Sequence, residues 1–200
     1  MKWIPIALAL CACRAPKPPA KGEFEPAAPY AMLFRPYQSW TYHVAAGAQD
    51  VEDDTATSVV VKCRTDKVVP FRGGVTSHIR CDLPTSISDE TGEFPLDGVW
   101  MANEIGLWHV TPGMPPTLDN ATLILEARPS EGHVDPDRLT GNDEFAEIAK
   151  RDDAWCATHH QHLDVENYST MCFGGEGVRS GAYGWKDSSA SHDARFELAR

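Results

Sequence analysis

Side chains able to do chemistry are most crowded at His159-His160-Gln161-His162, with Asp164 two positions on. In a strand, His160 and His162 project from one face and His159 from the other. Two neutral imidazoles spaced i and i+2 can ligate a transition metal, and Asp164 is the local third ligand. A shell that needs a turn residue to complete it is thin. The pattern therefore favours a solvated strand face, with His160, His162 and Asp164 the residues a metal would use.

Other polar clusters point to loops. Asp135-Pro136-Asp137 with Asn142, Asp143 and Glu144 has the acidity that attracts calcium, but Thr140 stands where the EF-hand loop requires glycine. Asp50, Glu52, Asp53 and Asp54 form a second acidic run, read as a solvated loop. Gly174-Gly175-Glu176-Gly177 lacks the following helix and lysine of a phosphate-binding loop and reads as a β-turn. No Gly-x-Ser-x-Gly elbow or Ser-x-x-Lys arrangement marks a nucleophile. Asn120 and Asn167 begin glycosylation sequons, which matter only outside bacteria. No cofactor motif is present, and the expectation is a protein that is not an enzyme.

The cysteines carry a sharper signal. Cys63, Cys81, Cys156 and Cys172 are an even set with three possible connectivities. Val59, Val60 and Val61 lead to Cys63 in a β-branched run, and residues 75–83 alternate with Val75, Ser77, Ile79, Cys81 and Leu83 on one face. Gly73-Gly74 signals a turn between them, and a hairpin centred on Arg72 sets Cys63 opposite Cys81. A second hairpin centred on Asp164 sets Cys156 against Cys172, Trp155 against Phe173 and Ala157 against Met171. In that register the second disulfide lies on the outer face and the aromatic pair faces the core.

These pairs need a scaffold of strands. Gln38 to Val44 places Trp40, Tyr42 and Val44 on one face. Residues 98–102 and 106–111 suit a hairpin across Asn103-Glu104-Ile105 that brings Trp100 near Trp108. Residues 122–127, 178–185 and 194–198 supply further strands. Asp143 to Arg151 alone has helical character, with Asn142 as N-cap and Phe145, Ile148 and Ala149 on one face. Nine or ten strands and at most one short helix make the fold class mainly β, an antiparallel sheet arranged as a sandwich or a curved half-barrel.

At the amino terminus, Met1-Lys2 is followed by an apolar stretch from Trp3 to Ala12, too short for a bilayer core of roughly twenty helical residues. Leu10-Cys11-Ala12-Cys13 then resembles the lipobox of bacterial lipoproteins, with Leu at −3 and a small residue before the cysteine. The resemblance implies a signal peptide at 1–12 and lipidation of Cys13. A Pro/Ala-rich tether at 13–30 follows, holding Pro16, Pro18, Pro19, Pro26 and Pro29. Residues 31–200 are left as a single globular domain. Arg14, where inner-membrane retention favours Asp, implies the outer membrane. The scattered Trp and Tyr positions of the body are similar to those of uncharacterised β-rich envelope lipoproteins, a likeness that brings no activity with it.

Composition limits what such a domain does. The chain has 200 residues, 42% hydrophobic and 24% charged, enough to bury a core. Its net charge of −11, about −12 once Lys2 is removed, disfavours nucleic acid as a partner. The expected function is a membrane-anchored envelope lipoprotein, a non-catalytic binding or structural module that docks an envelope protein. The alternative is a carrier of a lipid or other apolar ligand in a curved sheet.

Overall fold

The computed structural model describes residues 24–49, 54–71, 73–84, 94–110, 113–133, 143–162 and 165–199, with backbone alone for 48–49, 54–56, 143–145 and 162. The lipobox with Cys13, the start of the tether, the acidic stretch 135–142 and Asp164 lie outside the described residues.

The strands are β1 (Ser39–Gln49), β2 (Asp54–Phe71), β3 (Gly74–Asp82), β4 (Gly98–Asn103), β5 (Gly106–Val110), β6 (Ala121–Glu126), β7 (Gly132–His133), β8 (Asp143–Arg151), β9 (Ala154–His162), β10 (Glu166–Gly174), β11 (Gly177–Lys186) and β12 (Ser191–Leu198). They form one antiparallel sheet in the order β6-β5-β4-β3-β2-β1-β12-β11-β10-β9-β8-β7. The chain meanders outward to β6, restarts at the far edge with β7, and returns until β12 pairs with β1.

That restart forces curvature. Twelve strands at about 4.8 Å spacing would hold the edges of a flat sheet roughly 50 Å apart. Residues 127–131 join those edges, and so short a segment reaches only roughly 20 Å. The sheet must therefore curl until its edges approach, and no ladder joins β6 to β7 among the described residues. It is an open, strongly curved half-barrel. Two 3-10 turns, Ala31–Phe34 and Leu118–Asn120, are the helical elements among the described residues.

Period-2 alternation fills the concave side. Trp40, Tyr42 and Val44 of β1 face Val61 and Cys63 of β2, Ile79 of β3, and Ala194 and Phe196 of β12 in one core. The turn Ala31–Phe34 lies against β2, β3 and β11, and the Ser77 hydroxyl donates to the Leu33 carbonyl at 2.6 Å. Phe24 and Ala27 pack on the same core and Tyr30 is fully buried, so the packed body begins ahead of residue 31. Burial pushes the Tyr30 hydroxyl pKa up to about 12. Phe94 rests among Tyr42, Tyr183 and Phe196, with ring centroids 4.8–6.1 Å apart. Leu96 follows it into the core and accepts the Trp100 indole N–H at 3.0 Å.

Both disulfides form as spaced. Cys63–Cys81 and Cys156–Cys172 each join directly opposed residues of a hairpin. Cys63 belongs to the main core, whereas Cys156 and Cys172 form a separate small cluster with Ala154 on the other face. Trp155 opposes Phe173 and both pack toward the main core, as the register required. The first hairpin departs in one detail. A bulge between Thr65 and Lys67 shifts the register by one, so Phe71 opposes Gly74. The extra residue, Asp66, bridges Arg64 at 3.0 Å and Arg80 at 2.6 Å.

Two expectations are corrected. Asp143–Arg151 is strand β8, not a helix: it pairs with β9 from Asp143↔Gln161 to Arg151↔Ala154, turning through Asp152 at φ 55°. Ala146 and Ile148 are buried while Glu147 and Lys150 are exposed, so the ladder and its alternation outweigh an ambiguous local pattern. Trp100 and Trp108 do not meet either. The β4–β5 hairpin turns through Glu104-Ile105, which opposes Trp100 to His109 and Met101 to Trp108. Trp108 thus joins Met101, Val110, Ala121 and Leu123 in a cluster separate from the main core. Its indole N–H donates to Asn103 Oδ1, which also accepts the Ile105 and Gly106 amides and ties the turn.

Candidate functional site

The curl brings strands from opposite arms of the sheet around one cleft of about 410 Å³. One arm supplies His109 of β5 and Ile124 of β6; the other supplies His159 and Gln161 of β9, Asn167, Ser169 and Met171 of β10, and Tyr183 and Trp185 of β11. Pro95, between the two core-filling residues Phe94 and Leu96, also lines it. Among the twelve lining residues none is Asp, Glu, Lys or Arg. On a chain of net charge −11 that is a local exception.

The ladder explains the grouping. His159 opposes Ser169, and Ser169 opposes Tyr183, so three neighbouring strands present these side chains side by side. One step further along, Gln161, Asn167 and Trp185 stand in the same relation. Trp185 in turn opposes His192 of β12, and the two rings stack at 4.6 Å and 28°. Tyr183 meets Phe94 edge-on at 6.1 Å. The aromatic side chains of the lining are thus held by neighbours rather than hanging free.

His109 has the best-defined chemistry. Its Nε2 lies 3.1 Å from the Asp97 carbonyl, which can only accept, so Nε2 carries the proton and donates. Nδ1 is left with a lone pair. Desolvation holds the imidazole pKa below its usual value, against the opposing pull of the Asp97 carbonyl, so the ring is neutral at pH 7. It lies 4.5 Å from the Trp100 ring. Gly98 makes room for it, since a Cβ there would come within 2.9 Å of His109 Nε2.

The histidine cluster divides between the two faces. His159 points into the cleft and is buried. His160 lies on the opposite face, with its ring 6.3 Å from that of Tyr168. The His162 side chain and Asp164 lie outside the described residues, so the structure does not bring the three metal candidates together. Among the described residues no group of three His, Cys, Asp or Glu is placed to hold a metal. Tyr168 and Gly184 also border the cleft, and the Tyr168 hydroxyl donates to the Asp193 carboxylate, passing over Gly184. Burial first, then that carboxylate, raises the tyrosine pKa.

Sequence reasoning did not anticipate the cleft. The alternation on β9 and β10 placed His159 opposite to His160, but nothing local announced that His109, some fifty positions earlier, would share a cavity with it. No protein-family model matches the chain, and no curated protein matches its sequence.

Proposed function

We propose that the chain is an exported envelope lipoprotein, anchored through Cys13, whose half-barrel is a non-catalytic module that binds a small ligand in this cleft. The single observation that carries the reading is the cleft itself: about 410 Å³, walled by both arms of the sheet, with apolar, amide, hydroxyl and imidazole groups together. That size and mixture suit a small-molecule site. The two disulfides support export, because such bonds persist in oxidising compartments.

The carrier of a long acyl chain is less well supported. Phe94 and Leu96 occupy the centre that an acyl chain would need, and both are buried in the packed core. Native mass spectrometry of protein purified from its own envelope tests the reading. A co-purifying small adduct that disappears in Ser169→Trp is the expected result. A phospholipid retained by that variant would overturn it. Metabolic acyl labelling of wild type and Cys13→Ala tests the anchor, and label surviving in the variant would refute it.

A further inference from the structure

We infer that the cleft between β5–β6 and β9–β11 is a site for a neutral saccharide; this rests on the small-ligand reading above. Charge is the first constraint. An anionic ligand entering the cleft would lose hydration without meeting a positive counter-charge, since no lining residue is Lys or Arg and the nearby Asp193 carboxylate, held by Tyr168, is itself negative. That disfavours fatty acids, phosphate esters and uronic acids together.

Hydrogen bonding is the second constraint. The His109 Nδ1 lone pair accepts, because Nε2 donates to the Asp97 carbonyl at 3.1 Å. The Ser169 hydroxyl, which has no side-chain partner among the described residues, both donates and accepts. The Asn167 amide nitrogen donates to the Val165 carbonyl at 3.4 Å, an orientation that leaves its oxygen as the acceptor. Gln161 adds a second amide to the rim. A ligand that satisfies this set must offer several groups that donate and accept at once, and hydroxyls are the groups that do so without charge.

An apolar surface is the third constraint. Trp185 lines the cleft with His192 stacked against it at 4.6 Å, and Met171 and Ile124 complete the apolar share. A pyranose ring has one face of C–H groups that can lie on an indole while its edge hydroxyls reach amides and imidazole. The backing ring fixes the indole before the ligand arrives, which lowers the entropic cost of binding. A plain hydrocarbon would leave the His109 Nδ1 lone pair and the Ser169 hydroxyl unpaired, and a purely polar ligand would waste the aromatic wall.

The test is saturation-transfer NMR on the purified protein with glucose, N-acetylglucosamine, cellobiose and chitobiose, alongside glucuronate, decanoate and adenine. The expected result is transfer to the ring C–H protons of at least one neutral sugar and none to glucuronate or decanoate. Trp185→Ala weakens that binding about tenfold, Trp185→Phe largely restores it, and Ser169→Ala weakens it about fivefold. Unchanged melting of each variant shows that the fold is kept, and Ser169→Ala with Trp185→Phe carry the test if Trp185→Ala unfolds. No sugar response, or a response indifferent to every variant, overturns the saccharide assignment. Adenine binding that depends on Trp185, without sugar binding, overturns the ligand class and leaves the cleft reading standing. If no probe responds to the cleft variants and the purified protein carries no adduct, both fall.

Discussion

Replacing each disulfide by an alanine pair separates what the two bridges do. Cys63–Cys81 and Cys156–Cys172 span sequence separations of 18 and 16 residues, so the entropy removed from the unfolded chain is nearly the same for both. The chain-entropy relation gives about 3 kcal/mol at 25 °C in each case. Their native surroundings differ. Cys63 is 1% exposed within the main core and Cys81 packs against that core, among Val61, Ile79 and Trp40. Cys156 and Cys172 are also buried, at 2% and 7%, but in a small cluster whose other member is Ala154, so little packed apolar volume surrounds them. Truncating Cys63 and Cys81 therefore also opens space in a packed interior, which adds roughly 1–2 kcal/mol. The expected losses are about 4–5 kcal/mol for the inner pair and about 3 kcal/mol for the outer. Urea denaturation of the two double variants, extrapolated to water at fixed slope, measures both. Equal losses, or a larger loss for the outer pair, would refute the argument that packing around Cys63 and Cys81 adds to the entropic share of their bridge.

Three further outcomes follow from local geometry. Gly98→Ala forces a side chain into a backbone with φ 122° and against the His109 ring, and should cost about 1–3 kcal/mol in the urea midpoint; a loss below about 0.5 kcal/mol would contradict the packing. The His109 pKa is depressed in the folded protein, so as pH falls through the unfolded value near 6.5 the unfolded chain takes up a proton that the folded ring refuses. Stability is lost from that point down to the folded pKa, and His109→Gln, which keeps the donor to the Asp97 carbonyl, should flatten that part of the pH profile; superimposable profiles would remove desolvation of His109 as the cause. Asp66→Ala removes exposed ion pairs to Arg64 and Arg80 and should change stability by less than about 1 kcal/mol, and a larger thermal-melt shift would mean that this carboxylate sets the β-bulge.

What the sequence discloses is local. Both cysteine hairpins are readable because a turn residue, strict alternation and a symmetric spacing agree, and the structure pairs Cys63 with Cys81 and Cys156 with Cys172. The bulge at Asp66 is not readable, since it inserts one residue without disturbing either hydrophobic run. Asp143–Arg151 misleads because Ile148 and Ala149 fit a helical stripe as well as a strand. Only its ladder to β9 decides between them. The curl is hidden for a different reason: it follows from β6 and β7 being sequence neighbours at opposite edges of the sheet, a property of topology that no window of residues contains. The cleft inherits that opacity. The run at His159–His162 attracted attention as a metal site on the side of His160, whereas its inward member, His159, is the one that shares a cavity with His109.

The same topology relates the cleft to the start of the chain. Trp185 opposes His192, and His192 opposes Ala48, so the polar end of the cleft stands level with the last residues of β1. The body's first strand begins at Ser39, nine positions back along β1, roughly 30 Å away at strand rise. Strands that alternate direction return the chain to that same end at Leu198, paired with Tyr42. Under the anchored reading proposed above, a tether that approaches along β1 would meet the half-barrel at the end remote from Trp185. A module held from the Ser39 end would present the Trp185 end of the cleft away from the anchor. Such an orientation suits a ligand that arrives dissolved, as a neutral sugar would, better than one handed over from the membrane.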